Sequence, residues 1–269
     1  MRIAVMQANA NVGDQAANLR AIDEAAARAA GDGADVLVTP ELFVSGYAPL
    51  LLRTVDPDAE HGILTELGRI AKHRKVALVA SYPQVEELAE EKRRQYICAV
   101  LFDASGELAV TYRKVHLFGD DEPRAFACSE APPTTVELAG LRVSLLICFD
   151  VEFPEAVRAA AVAGADVVLA PTALAAGFDD VPQVLLRARA LENGVALAYA
   201  NHTGEEDGLV LGGGSVIVGP DGGLLAEGDD APRIILGDVT RDDIDAARRE
   251  VDYLGRRRPT TYAAWERDG

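Results

Sequence analysis

The chain is short of lysine, of cysteine and of unbroken apolar sequence, and each shortage excludes something. No stretch reaches the roughly 18 apolar residues that a membrane-spanning helix needs. The run from Met1 to Gly13 lacks the charged-then-apolar layout of a signal peptide, so a cytoplasmic protein is expected. Cys98, Cys128 and Cys148 cannot all pair and show no CxxC spacing, which argues against a disulfide framework or a zinc ribbon. With 24 Gly and 13 Pro in 269 residues and a 49% hydrophobic composition, the chain has enough apolar surface for a sizeable core and is neither disordered nor fibrous. Positive charge is scarce too: 26 Lys and Arg face 43 Asp and Glu, and the net charge of −17 repels phosphate backbones and anionic headgroups. Neither nucleic acid nor membrane is an expected partner. Of the basic residues only Lys72, Lys75, Lys92 and Lys114 are lysines, so a lysine where arginine would carry the same charge calls for a chemical reason.

What is present repeats. Gly33-Ala34-Asp35-Val36-Leu37-Val38-Thr39-Pro40 is echoed by Gly164-Ala165-Asp166-Val167-Val168-Leu169-Ala170-Pro171, each after an Ala-rich helical run, Gln15 to Ala30 and Pro154 to Ala163. Val76 to Ala80 is matched by Val195 to Tyr199, each after a helical segment, the first marked by Ile63, Leu67, Ile70 and Ala71 and the second by Val184 to Leu191. Hairpin signals follow at Val100 to Gly106 and Val216 to Gly222. Short β-branched runs, Ile3 to Val5, Val36 to Val38 and Val143 to Ile147, read as strands buried on both faces. These patterns fit two packed sheets with helices outside, and equally one doubly wound sheet. Glu86 to Arg94, with Glu87, Glu90, Glu91, Lys92 and Arg93, reads as a solvated charged excursion.

Three residues stand where α/β proteins place chemistry, just past the ends of strands. Leu145-Leu146-Ile147-Cys148-Phe149-Asp150 runs into Phe153-Pro154-Glu155, a strand, a turn and a helix whose first position suits Pro154. A thiol there has the placement of a nucleophile, whereas Cys98 and Cys128 read as packing residues. Glu41 follows Val36 to Pro40, and Lys114 closes the return strand of the first hairpin on the face of Tyr112 and His116. A thiol nucleophile needs a base and an oxyanion partner, and these two residues supply both types.

Together these segments resemble the nitrilase superfamily of carbon–nitrogen hydrolases. The resemblance runs from Arg2-Ile3-Ala4-Val5-Met6-Gln7 through Pro40-Glu41-Leu42-Phe43 and Tyr112-Arg113-Lys114-Val115-His116-Leu117 to Ile147-Cys148-Phe149-Asp150, essentially the whole chain. It implies a four-layer αββα sandwich over residues 1–269 as a single domain. It also implies a triad of Glu41, Lys114 and Cys148, with a second acid at Glu122, or at Asp120 as the rival position. Phe149-Asp150 after the nucleophile, where nitrilases typically carry Trp-Glu, implies an amide substrate. The segments around Ala170-Pro171-Thr172-Ala173, Arg187 to Asn193 and Tyr199-Ala200-Asn201 are similar to aliphatic and ω-amino-amide amidases. Tyr47, Phe149, Thr172 and Ala173 are the substrate contacts carried over. Departures at Ala173 to Phe178 and at His202-Thr203-Gly204 leave the acyl group open.

By this resemblance Glu41 takes the Cys148 proton, Lys114 and the Phe149 N–H face the oxyanion, and no cofactor or metal is required. A homodimer or higher oligomer is expected, with residues 241–269 at the interface or else forming a solvated helix and an extended tail. Alternatives are an N-carbamoyl hydrolase or nitrilase of the same superfamily, a cysteine hydrolase using His116 or His202 as base, and a binding module with a merely buried Cys148. A metallohydrolase is disfavoured, since His61, His73, His116 and His202 form no HExxH or i,i+4 spacing. Gly212-Gly213-Gly214 lacks a phosphate-loop layout and reads as a loop or as backbone packing.

Overall fold

The computed structural model describes residues 1–54, 57–88 and 93–265. Strands β1 (Arg2–Gln7), β2 (Val36–Val38), β3 (Ala77–Glu87), β4 (Arg93–Phe102) and β5 (Leu108–Arg113) come from the first half, with helices α1 (Gln15–Gly31) and α2 (Pro57–Arg74) between them. After the short helix α3 (Glu122–Ala125) come β6 (Thr135–Leu138), β7 (Leu141–Leu145), α4 (Pro154–Val162), β8 (Val167–Pro171), α5 (Leu186–Asn193) and β9 (Ala196–Ala200). The chain continues through β10 (Thr203–Glu206), β11 (Leu209–Gly212), β12 (Val216–Val218), β13 (Leu224–Glu227) and β14 (Arg233–Asp238), and then α6 (Arg241–Glu250) and α7 (Pro259–Trp265).

One six-stranded sheet has the order β14-β1-β2-β3-β4-β5 and the other β13-β12-β9-β8-β7-β6, with β10-β11 a separate hairpin. The β1-β2-β3 and β7-β8-β9 triplets are parallel, and antiparallel strands flank both. The repeats noted in the sequence therefore occupy equivalent places: β2 matches β8, β3 matches β9, and the β4-β5 turn matches the β12-β13 turn.

Strand alternation builds the layers. Ile3, Val5, Val36, Val38, Ala77 and Val79 join Val143, Leu145, Val167, Leu169 and Ala196 of the second sheet in one buried cluster. Their neighbours Ala4, Met6, Leu37, Leu78 and Ala80 point the other way, onto Ile22, Ala25, Ala26, Leu67 and Ile70 of α1 and α2. Val157, Ala160, Leu186 and Ala190 of α4 and α5 cover the second sheet. This is the αββα sandwich, and each fully buried Val, Leu or Ile side chain contributes about 1.5–3 kcal/mol to it. The doubly wound alternative is excluded, because one core cluster draws on the facing sides of two separate sheets. Among the described residues no helix is long and apolar enough to cross a membrane.

Four expectations need correction. The strand expected at Val143 to Ile147 lies at Leu141–Leu145, and Leu146 and Ile147 form a buried connection beyond it. The charged excursion is solvated but partly structured: β3 and β4 extend into it from either side, pairing Glu86 with Arg94 and Glu87 with Arg93, and Arg113 reaches Glu86 at 3.0 Å. Opposite charges across the ribbon let the ladder continue; Glu90, Glu91 and Lys92 lie outside the described residues. Cys128 is exposed rather than packed. The tail forms α6 as expected, with a capping box between Thr240 and Asp243, but then a second short helix, α7, in place of an extended segment. Nor is α6 merely solvated, since Arg241 and Arg248 both bind the buried Asp166 carboxylate.

Candidate active site

The site lies past the ends of β2, β5 and β7, where three segments leave their strands and meet. After β2 the chain passes Pro40, and the Glu41 N–H donates to the Thr172 carbonyl at 3.1 Å, tying the first sheet to the end of β8 in the second. Lys114 follows β5 directly and its N–H still bonds the Ile97 carbonyl at 2.9 Å, so the ladder sets where its side chain begins. Cys148 opens a 3₁₀ turn, Cys148–Glu152, that feeds α4 at Pro154. Its φ of +46° is a left-handed conformation that a residue with a Cβ rarely adopts.

Lys114 Nζ bridges two carboxylates, 2.8 Å from Glu41 Oε1 and 2.8 and 2.9 Å from Glu122 Oε1 and Oε2. All three side chains are buried. Glu122 Oε1 also accepts the Tyr47 hydroxyl at 2.7 Å, and Oε2 accepts the Phe118 N–H at 2.8 Å. The structure thus brings Glu122 to the lysine and leaves Asp120 exposed.

The electrostatics follow from burial and from this bridge. Burial pushes the Glu41 carboxyl up, Lys114 draws it back and the Glu122 charge raises it, leaving it at about 7. Burial alone would lower the Lys114 ammonium, but Glu41, Glu122 and Cys148 outweigh it and hold the lysine charged. Burial and the Glu41 charge push the Cys148 thiol up, against the pull of Lys114 and of the Thr172 hydroxyl. At rest the site therefore holds a thiol beside a carboxylate whose proton affinity suits transfer near neutral pH.

Thr172 and Ala173 are buried at the end of β8, while Phe149 is half-buried and meets Phe118 and Phe153 edge to face at 5.3 and 4.9 Å. A cavity of about 200 Å³ opens beside Tyr47, Phe118 and Glu122, with Asp120, Asp121 and Asp207 among its lining. Of the two histidines weighed as alternative bases, only His202 has both ring nitrogens engaged. His116 Nδ1 lies 2.9 Å from Asp150 Oδ1 and its ring stacks on Phe153 at 3.9 Å, and both ring nitrogens of His202 are engaged at 2.6 Å. Among the described residues no three His, Cys, Asp or Glu side chains are grouped to hold a metal ion.

The sequence model for carbon-nitrogen hydrolases matches residues 2–249, nearly the whole chain. The chain belongs to the carbon-nitrogen hydrolase family. Among its relatives is an (R)-stereoselective amidase of a Pseudomonas species, 37% identical over 96% of this chain and 92% of that one. Among solved structures, a variant of the Nesterenkonia sp. AN1 amidase with acrylamide added at its active-site cysteine superposes with a TM-score of 0.90, at 45% identity, covering 98% of this chain and 99% of that one. A second variant of that amidase, in complex with butyramide, superposes with a TM-score of 0.89 at the same 45% identity, covering 98% and 97% of the two chains. These likenesses put the protein in the amidase branch of the nitrilase superfamily, as a hydrolase of carbon–nitrogen bonds other than peptide bonds.

In this carbon-nitrogen hydrolase the structure gives further residues a positioning place around the triad. Asp150 ties the lysine segment to the cysteine turn, accepting Tyr112 Oη at 2.9 Å, the His116 N–H at 2.8 Å and the Ile147 N–H at 3.3 Å. The sequence singled it out only as a marker of substrate type. His202 and Glu206 form a second buried pair behind Glu41. Glu206 stands in Gly204-Glu205-Glu206-Asp207-Gly208, where no motif marked it. Of the glycine run read as a loop or as backbone packing, Gly213 is a close backbone approach, since a Cβ there would lie 2.5 Å from the Asp229 carbonyl oxygen, whereas a Cβ at Gly214 would meet nothing within 4 Å.

Proposed function

We propose that the protein hydrolyses small amides, aliphatic or ω-amino, to carboxylate and ammonia through a thioester on Cys148. Glu41 accepts the thiol proton as Sγ attacks the amide carbon. The negative charge of the tetrahedral intermediate falls on the former carbonyl oxygen, facing Lys114 Nζ and the Phe149 N–H. Glu41 then returns the proton to the leaving nitrogen as the C–N bond breaks, releasing ammonia and leaving the acyl thioester. Water gives a proton to Glu41 and attacks the thioester; the carboxylic acid leaves and Cys148 regains its proton. Glu122 orients Lys114, and the chain acts as a single domain with the segment 241–269 at a homodimer interface.

The observation that carries this reading is the buried lysine bridge, with Nζ 2.8 Å from both Glu41 and Glu122 beside the Cys148 thiol. A lysine fits because a compact ammonium can approach two carboxylates and a developing oxyanion together, which a planar guanidinium does less well. The amides named for the Nesterenkonia amidase support a short acyl group.

The test is a panel of short aliphatic amides, ω-amino amides, carbamoyl compounds and nitriles, scored by ammonia release and by intact mass of the trapped enzyme. Amide turnover with an acyl adduct on Cys148 is expected, and equal turnover of nitriles would overturn the substrate assignment. Light scattering of the full chain and of a chain ending before α6 tests the dimer.

A further inference from the structure

Residues 41–47 carry Glu41 at one end and Tyr47 at the other, and a buried imidazole–carboxylate pair outside the lysine bridge grips both ends. His202 Nε2 lies 2.6 Å from the Glu41 carbonyl oxygen, and its Nδ1 lies 2.6 Å from Glu206 Oε1. Glu206 Oε1 also accepts the Ala10 N–H at 2.7 Å, and Oε2 accepts the Tyr47 N–H at 2.7 Å. Both side chains are shielded from solvent, and Phe43 stacks on the imidazole with ring centres 5.6 Å apart.

Counting donors decides the protonation of this pair. A carbonyl oxygen only accepts, so Nε2 must carry a hydrogen. At Nδ1 either the ring donates to a carboxylate or a neutral carboxylic acid donates to the ring. Each Glu206 oxygen already accepts a backbone N–H, an environment that favours the ionised acid. Burial opposes this, but the imidazole and the two N–H groups prevail and hold the Glu206 carboxyl below the usual range. Nδ1 is then a donor as well, and the ring carries both hydrogens. The other titratable groups facing it are Glu41, through its carbonyl, and Tyr47, whose ring centre is 6.4 Å away.

We propose that His202 is a positioning residue: a buried imidazolium, locked to Glu206, that holds the 41–47 segment in the geometry Glu41 needs as a base. The segment has reason to relax without it. Leu42, next to Glu41, is held at a φ of +52°, a left-handed conformation that costs a leucine free energy. At the far end, the Tyr47 hydroxyl donates to Glu122, which grips Lys114. One charged pair therefore steadies both carboxylates of the bridge. A neutral histidine has only one ring N–H and could not donate at both nitrogens.

The inference rests on the reading of Glu41 as the general base, and two measurements keep the two apart. Long-range ¹H–¹⁵N spectra of the histidine-labelled full chain, assigned by replacing His61, His73 and His116 in turn, should show both His202 nitrogens protonated. A neutral His202 tautomer would overturn the proposal even if Glu41→Gln abolishes turnover, and turnover that survives Glu41→Gln would sink the underlying reading whatever the spectrum shows.

Positioning is tested with His202→Gln and Glu206→Gln. A displaced base should lower kcat about 10- to 100-fold. KM for a simple amide should stay within about threefold. Methyl methanethiosulfonate, which carries no amide group, should modify Cys148 more slowly in the same proportion, since it reports thiol activation without amide binding. A merely structural contact would lower Tm and leave both rates of the folded protein unchanged, and that result would overturn the positioning role. If neither variant folds, the nitrogen spectrum of the unaltered chain decides.

Discussion

Tyr112 donates its hydroxyl to Asp150 Oδ2 at 2.9 Å, joining the strand that presents Lys114 to the turn that presents Cys148. The contact is buried, and the Asp150 carboxylate also accepts the N–H groups of His116 and Ile147. Burial and the Asp150 charge push the Tyr112 phenol well above its ordinary pKa, so it remains a donor at any working pH.

Asp150→Ala should therefore strand several buried donors at once. A buried hydrogen bond to a charged group contributes about 1.5–3 kcal/mol, so a loss of at least that size is expected in denaturant unfolding. Tyr112→Phe removes one donor and should cost about 1 kcal/mol. Parallel kcat measurements should show Asp150→Ala the more damaged of the two.

Removing the ammonium tests the bridge. Lys114→Met leaves Glu41 and Glu122 facing each other in a buried site, and breaking such a pair typically costs about 3–5 kcal/mol, which calorimetry would read. Loss of an oxyanion donor should lower kcat by about 10²–10³. If Lys114→Met retains full amidase activity, the oxyanion role is wrong.

The pH profile of kcat/KM follows from the carboxyl that must accept the proton. With Glu41 raised to about 7 rather than its usual 4.5, it becomes protonated and unable to act as base as pH falls through neutrality. Activity should decline on the acid side with an apparent pKa near 7, a value belonging to the coupled Glu41–Cys148 pair. An acid limb at the ordinary carboxylate value would refute the burial argument.

Thiol labelling should divide the cysteines three ways. Cys128 is exposed and should be alkylated readily, while Cys98 is buried with its thiol pushed up to about 12 and should be protected. Cys148 is the thiol beside Glu41, so in a Cys128→Ser background peptide mapping should find one labelled thiol, whose labelling Glu41→Gln should slow rather than abolish.

Much of this molecule was legible in its sequence because the signals are local. The Gly-Ala-Asp-Val repeats at 33 and 164 announce β2 and β8, hairpin residues announce the β4-β5 and β12-β13 turns, and Glu41, Lys114 and Cys148 each sit just past a strand end in a readable motif. What stayed hidden depends on distant chain segments. Glu86-Glu87 and Arg93-Arg94 look like part of an unpaired excursion until β3 and β4 pair them, exposed or half-buried as they are, and Cys128 looks like packing until its loop is placed.

The sequence by itself determined the two similar halves, the sheet-and-helix character and the identity of the three residues proposed for chemistry, since periodicity, turn residues and motif spacing act over short stretches of chain. Only the tertiary structure decided that Glu122 and not Asp120 meets Lys114, that Asp150 joins two arms of the site, and that His202 and Glu206 hold the segment bearing Glu41. The reason is desolvation. Folding withdraws these groups from water, so each must find a partner from another part of the chain, and which partner it finds depends on the packing of the two sheets.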